Sequence, residues 1–392
     1  MKIHLAIVSD QILANVIPAL MDCPDKVLLI ASADMVTRKL DRRLARLLER
    51  EGMTVERHEN APEVGMRQIY EYASRLRDDL VERHADAEIV LNATGGTKPM
   101  SLGFVEVFRG IASRIIYTDT RHRQIESLPN ANATITEPEP MRDVLDVPCY
   151  LAAQGLQFSK AASDSPDFCE RMRARKAAAK FLGKNCVELS SSGFIGKFNW
   201  LADQALGRDG SLREPRQRLD YAPHVNSIWT QALRQLVQAK CLGWREGEID
   251  VVFIDAERTQ FVRGGWLEEY AFHIVHDDKP FDARMGVEVL IEGSDRARNE
   301  FDVLACHGNQ LLFIECKTLR FEEGRNDNDL AYKLKSLGES ARGLFGETWL
   351  LSAQPPTPTL EERARQARVR LLGPPDLPKL REIVQSWMNP AQ

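Results

Sequence analysis

The stretch RNEFDVLACHGNQLLFIECKTL, Arg298 to Leu319, carries acids and a lysine that strand geometry can bring together. Two apolar-rich runs flank Gly308-Asn309, a dipeptide suited to a two-residue hairpin turn. With those two residues as the loop, Asp302 faces Glu315 and Glu300 faces Lys317. Alternation along the strand puts Glu315 and Lys317 on one face, two residues apart. Two carboxylates opposite each other repel. On strands that are apolar on both faces, such charges must be paired or hold a metal. A divalent cation between Asp302 and Glu315, with Lys317 beside it, resolves the conflict. Hard oxygen ligands without a His/Cys cluster favour Mg²⁺ or Mn²⁺ over Zn²⁺. That set suits phosphodiester hydrolysis, in which the metal polarises the phosphate and acidifies a water while the lysine orients that water or stabilises charge. The plainer alternative is a surface hairpin with an incidental Glu–Lys pair, because Glu-x-Lys alone is a weak pattern. The acid upstream at matching register is what favours the metal site. RGGWLEEYAF, Arg263 to Phe272, supplies a further acid from an expected helix. Glu268 is favoured there because Trp266, Tyr270 and Ile274 read as core-facing, but Glu269 stays open, as does a solvated role for both.

A second stretch, LNATGGTKPM from Leu91 to Met100, has the look of a phosphate-holding loop. It lacks the spacing of a Walker A loop and of a dinucleotide fingerprint. An apolar strand end runs into Thr94, Gly95, Gly96, Thr97 and Lys98, and Pro99 then opens a helix. Gly95 and Gly96 permit close backbone approach. The threonines offer hydroxyls, Lys98 a cation, and the helix amides partial positive charge. Ser9, Asp10 and Gln11, after the first strand, reach the same sheet edge. The competing reading is a tight β–α turn with Lys98 solvated.

Alternating elements must position this loop. Ile3–Ser9 and Lys26–Ser32 are short apolar runs typical of buried parallel strands. Leu40, Leu44, Leu47 and Leu48 mark one face of an amphipathic helix. A strand at TVERHE, a helix from about Pro62 to Arg83, and strands at EIVLNAT and RIIYTDT complete a Rossmann-like parallel α/β unit. The expected organisation is this unit over 1–130, a connector and mostly helical middle region over 131–243 to which no chemistry attaches, and an α/β domain over 244–392. Tyr332, Lys333 and Lys335 begin an expected helix that can touch a nucleic-acid backbone. A net charge of -5 argues against a general nucleic-acid coat protein, though not against a local basic groove. Seven cysteines without a Cys-x-x-Cys pair fit reduced thiols, and Cys306 and Cys316 read as buried small hydrophobes. No signal peptide is expected, nor an apolar run of the roughly 20 residues a spanning helix needs. A cytoplasmic protein with no membrane partner follows as the expectation.

A Glu-x-Lys strand preceded by a hairpin Asp and a helix Glu resembles the PD-(D/E)xK restriction-endonuclease-like superfamily. A Rossmann-like unit with Thr-Gly-Gly-Thr-Lys after its fourth strand resembles the CRISPR-associated Rossmann fold (CARF) sensors. The two in this order and length resemble the CRISPR ancillary nucleases of the Card/Can type. The resemblance implies a C-terminal restriction-endonuclease-like α/β/α domain and a homodimer whose paired sensors bind a cyclic oligoadenylate, usually cyclic tetra-adenylate, made by type III CRISPR complexes. Binding would rearrange nuclease domains that cut DNA, RNA or both with Mn²⁺ or Mg²⁺. Carried over residue by residue, Asp302, Glu315 and Lys317 match the catalytic set, with Glu268 as the helix acid. The metal would be held by Asp302, Glu315 and the backbone carbonyl of Cys316. Thr94 to Lys98 match the sensor loop, and Ser9, Asp10 and Gln11 the first ligand loop. Two other readings stay open: a ligand-responsive regulatory protein with a decayed nuclease fold, and a ligand-independent DNA-repair nuclease whose first domain only dimerises.

Overall fold

The computed structural model describes residues 1–131, 136–291, 298–319 and 346–390. Tyr332, Lys333 and Lys335 lie outside them. The chain divides into two units, Met1–Gln157 and Phe158–Gln392.

The first unit is built on strands β1 (Lys2–Ile7), β2 (Lys26–Ser32), β3 (Thr54–Ala61), β4 (Glu88–Asn92), β5 (Arg114–Asp119), β6 (Gln124–Leu128) and β7 (Glu139–Pro140). They form one sheet in the order β3-β2-β1-β4-β5-β6-β7. The first five are parallel, and β6 and β7 add antiparallel. β1 and β2 are buried on both faces, which is why they read as unbroken apolar runs. Helices Leu13–Asp22, Leu40–Arg50, Met66–Arg83 and Lys98–Phe108 connect and cover them. Leu40, Leu44, Leu47 and Leu48 are all buried, as their spacing requires. The strand order reverses between β1 and β4, so a crevice opens at the carboxyl ends of those two strands.

The second unit holds a six-stranded sheet in the order β16-β15-β14-β13-β12-β8. Its strands are β8 (Leu156–Ala161), β12 (Asp282–Ile291), β13 (Arg298–His307), β14 (Gln310–Lys317), β15 (Glu347–Ser352) and β16 (Val369–Leu372). A small antiparallel sheet, β10-β11-β9, is made from β9 (Arg216–Arg218), β10 (Leu242–Gly243) and β11 (Asp250–Phe253). The helical middle stretch is not a separate layer. Its Leu182, Phe198 and Leu233 share one core with Trp266, Val303, Ile314 and Trp349. β8 was not expected, because LQFSKA shows no regular apolar alternation. Among the described residues no helix is long and apolar enough to cross a membrane.

The hairpin forms as its turn residues demand. Gly308 and Asn309 both take left-handed φ, +58° and +55°, the requirement of a type I′ turn. His307 then pairs with Gln310, and the register carries on to Val303 with Ile314.

Candidate functional site

β14 lies between an antiparallel neighbour, β13, and a parallel one, β15. A residue inside such a strand has backbone on both sides, and Glu315 is 0% exposed. Lys317 sits at the strand's carboxyl end and donates from Nζ to Glu315 Oε1 at 2.6 Å. The ladder between β13 and β14 runs from His307–Gln310 to Val303–Ile314, short of the expected Asp302–Glu315 and Glu300–Lys317 pairs. Instead Asp302 Oδ2 accepts the Cys316 amide at 2.7 Å. In an unbroken ladder that amide would go to a backbone carbonyl of β13. Glu300 pairs with Glu288 of β12 on the other side. The hairpin therefore brings Asp302, Glu315 and Lys317 together through a side chain that interrupts the ladder.

Helix Trp266–Asp277 delivers the next acid. It follows a π-helical turn, Phe261–Gly265, of the kind that often marks a functional site. A side chain at Gly264 would lie 2.5 Å from Thr318 Oγ1, so glycine lets this turn touch the residue after Lys317. Thr318 Oγ1 donates to the Arg263 carbonyl at 3.4 Å across that contact. Burial pushes the Glu268 carboxyl up to about 8, aided by the charges of Asp302, Glu300 and Glu315 and opposed by Lys317. Lys317 is pulled down by burial, but Glu315 and Asp302 outweigh it and hold the ammonium above its usual value.

Glu269, one residue on, turns about 100° round the helix and does something else. It is 3% exposed and takes a two-pronged contact from Arg175, Nη2 at 2.6 Å and Nε at 3.1 Å. Arg175 also donates to Glu257 at 2.9 Å. Burial pushes Glu269 up to about 7 against the pull of Arg175. The two adjacent glutamates thus divide, Glu268 toward the hairpin acids and Glu269 into a buried ion pair. Arg175 and Asn199, whose Nδ2 donates to the Thr318 carbonyl at 2.9 Å, come from the middle region and had no signal in the sequence.

Among the described residues no three His, Cys, Asp or Glu side chains already stand as a metal-binding group. The donor chemistry nevertheless fits a hard divalent cation. Asp302 and Glu315 bring hard carboxylate oxygens to the end of β14, and their charges add to the burial that favours the protonated form of Glu268 there. A cation at that place would take over what the proton does. The Cys316 thiol is itself pushed well up, first by burial and then by Asp302, Glu268 and Glu315, so it stays a neutral neighbour.

The loop after β4 is held by fit rather than by charge. A Cβ on Gly95 would lie 1.8 Å from the Ile7 carbonyl oxygen and 3.3 Å from Ser9 Oγ, and one on Gly96 2.4 Å from Ile7 Cγ2. Both glycines let the loop press onto the end of β1. Thr94 Oγ1 donates to Asn92 Oδ1 at 2.6 Å and accepts the Thr118 amide at 2.7 Å. Asn92 in turn donates to the Ala14 carbonyl and to Asn15 Oδ1. Thr97 caps the following helix, accepting the Met100 amide, and donates to the Glu63 carbonyl at 2.9 Å. Both hydroxyls expected for a ligand are thus engaged within the protein. What the loop presents outward is Gly96, Thr97 and Lys98, all exposed. Asp10 is exposed and pairs with Arg38 at 2.5 Å, while Ser9 and Gln11 are half-buried.

A Rossmann-like unit with a ligand-type loop at its switch point, followed by an acid-lined nuclease-type sheet, defines a sensor–nuclease fusion. Family models make this specific. Residues 3–150 match the Card1 CARF domain and residues 255–391 the Card1-like endonuclease domain. Together they span most of the chain, which belongs to the Card/Can type of CARF nuclease. Among solved structures, protein VC1899 from Vibrio cholerae is similar at 23% identity and a TM-score of 0.79, over 99% of this chain and 98% of that one. Can2 from Sulfobacillus thermosulfidooxidans in complex with cyclic tetra-adenylate matches at 23% identity and a TM-score of 0.72, over 99% of this chain and 100% of that one. A type III CRISPR defence DNA nuclease activated by cyclic oligoadenylate matches at 17% identity and a TM-score of 0.54, over 99% of this chain and 52% of that one. At these identities the likeness is one of fold. Among curated proteins nothing matches.

Proposed function

We propose that this protein is a metal-dependent endonuclease switched on by a cyclic oligoadenylate, cyclic tetra-adenylate being the first choice, and acting on DNA, RNA or both in type III CRISPR antiviral defence. The observation that carries the nuclease reading is the convergence of Glu268, Asp302, Glu315 and Lys317 from a helix and two strands. Burial first, and then the charges of Asp302, Glu300 and Glu315, push the Glu268 carboxyl up to about 8. When bound, Mn²⁺ or Mg²⁺ would polarise the phosphate and acidify a water. Asp302, Glu315 and the Cys316 carbonyl would hold the cation, with Glu268 as the acid contributed by the helix. Lys317, kept charged by its two acid neighbours, orients the attacking water and stabilises charge on the phosphate. The sensor reading is supported by the loop's place at the switch point and by the Can2 fold solved with cyclic tetra-adenylate. A homodimer would present Lys98 and the Gly96 backbone twice to a ring of repeated phosphates, in the cytoplasm.

The test is cleavage of labelled single-stranded DNA, single-stranded RNA and supercoiled plasmid in Mn²⁺, with and without cyclic tetra-adenylate, and Glu315→Ala as control. Cleavage only with the ligand, lost in the variant, is the expected result. A ligand-independent nuclease is the second reading, favoured by the fact that both loop hydroxyls and both glycines have work inside the first unit. It predicts equal cleavage without the ring.

A further inference from the structure

We infer that the exposed side of helix Phe194–Ala205, centred on Trp200, is a stacking platform for the unpaired bases of a single-stranded nucleic acid. This rests on the nuclease reading above and says how that site would hold its substrate.

Three observations meet on this helix. The first is its place. Buried Asn199 binds the carbonyl of Thr318, one residue past Lys317. One turn on, Asp203 pairs with Arg263 at 2.6 Å, in the turn that leads into the helix of Glu268. The helix is therefore pinned beside the end of β14 by two contacts on one side. The second is what it shows to solvent. Trp200, next in the chain to Asn199, is 52% exposed. The Lys197 ammonium stands 4.7 Å from the indole centroid. An exposed indole with one face held by a cation still offers area to a flat partner, and every base has a π-face.

The third is what surrounds it. Lys197 also pairs with Asp220 at 2.9 Å, which ties the helix to the segment carrying Tyr221, itself 58% exposed. Just before that segment, β9 forms the edge of its small sheet and packs against the same helix. Arg216 and Arg218 are both exposed on it and share a face by strand alternation. Arg216 is only loosely engaged, 3.6 Å from Asp250. Two exposed rings and three cations on and around a helix pinned to the residue after Lys317 match a strand with alternating bases and phosphates. A duplex, whose bases are already stacked, has nothing to lay on an indole.

The experiment measures binding, not cutting. The full chain carrying Glu315→Gln, saturated with cyclic tetra-adenylate, is titrated against a labelled pyrimidine single strand by fluorescence anisotropy. The same strand made abasic and a duplex serve as controls. Adding Trp200→Ala should weaken single-strand binding about five- to a hundredfold, the usual worth of a base stacked on an aromatic ring. Trp200→Phe should keep most of the affinity, and the abasic strand and the duplex should not distinguish the variants. Unchanged single-strand affinity in Trp200→Ala overturns the platform. So does an equal loss for intact and abasic strands, which would mean a charge or folding effect. A smaller particle mass in Trp200→Ala with single-strand affinity intact would assign the face to a second copy of the chain and also overturn it. If the parent binds no nucleic acid and the unmutated protein cuts none, the nuclease reading fails and takes the platform with it. Cleavage by the unmutated protein alongside an unaltered Trp200→Ala affinity sinks the platform alone.

Discussion

The two candidate sites sit at strand ends of α/β sheets, yet they are held by opposite means. The loop after β4 is closed by steric fit: two glycines against the end of β1, and hydroxyls bonded to neighbouring backbone and side chains. The site at β14 is held by charge: Asp302 and Glu315 add to the burial that raises Glu268, and they hold Lys317 above its usual value. A site made by fit tolerates no added volume but is indifferent to charge balance. A site made by crowded charge keeps its shape under isosteric change and loses its chemistry. Substitutions in the two places should therefore fail in different ways.

The largest effect is expected at β14. Glu315→Gln keeps volume and removes a charge, Glu268→Gln keeps volume and removes a carboxyl that a bound cation would ionise, and each should lower cleavage at least about a hundredfold with little change in melting temperature. Glu269→Gln, one residue away, should instead leave cleavage within a fewfold. If Glu268→Gln cleaves normally, the assignment of the helix acid is wrong. Next comes Arg175→Met, which strands buried Glu269 without its partner and should cost about 3–5 kcal/mol in denaturant unfolding. The double variant Arg175→Met/Glu269→Met should recover most of that loss. An undiminished unfolding midpoint in the single variant would show that the pair does not hold the helix.

In the loop, Gly95→Ala drives a methyl into the Ile7 carbonyl, and destabilisation of about 1–3 kcal/mol is expected in unfolding of the full chain. Lys98→Ala should be silent in that assay, yet weaken binding of cyclic tetra-adenylate about five- to a hundredfold by calorimetry. Unaltered ring binding would leave the loop a β–α turn and favour the ligand-independent nuclease.

At neutral pH the smallest effect is that of His273, which shows only on acidification. Burial, with Lys176 adding, pushes His273 down to about 4 from an ordinary 6.5. Between those values the unfolded chain takes up a proton that the folded one refuses. Stability from this group is therefore full above 6.5 and lost as pH falls toward 4. His273→Gln should flatten the melting-temperature profile across that window. A profile unchanged by the substitution would show that His273 is not the group responsible.

How far these sites were legible in the sequence depended on how local their causes are. The hairpin was legible because Gly308-Asn309 dictates a two-residue turn and the turn dictates register. The register was right where the ladder exists, and the departure at Asp302 could not be foreseen, since a side chain takes over an amide from another strand. The choice between Glu268 and Glu269 was open because adjacent helix residues differ only in direction. Direction there is set by Arg175, more than ninety residues earlier. Thr94 and Thr97 were read by residue type as ligand hydroxyls, while their partners, Thr118 and Glu63, come from other elements.

Residue order by itself determined the parallel strands of the first unit, the turn of the hairpin and the identity of the acids. Periodicity, glycine and charge act within a few residues, so they are written locally. Only the tertiary structure decided that the helical middle region belongs to the second unit's core, that Asn199 grips the end of the Glu-x-Lys strand, and which glutamate is taken into the buried pair with Arg175. Those outcomes depend on burial and on which distant charge arrives beside which. Neither quantity exists until the chain has packed.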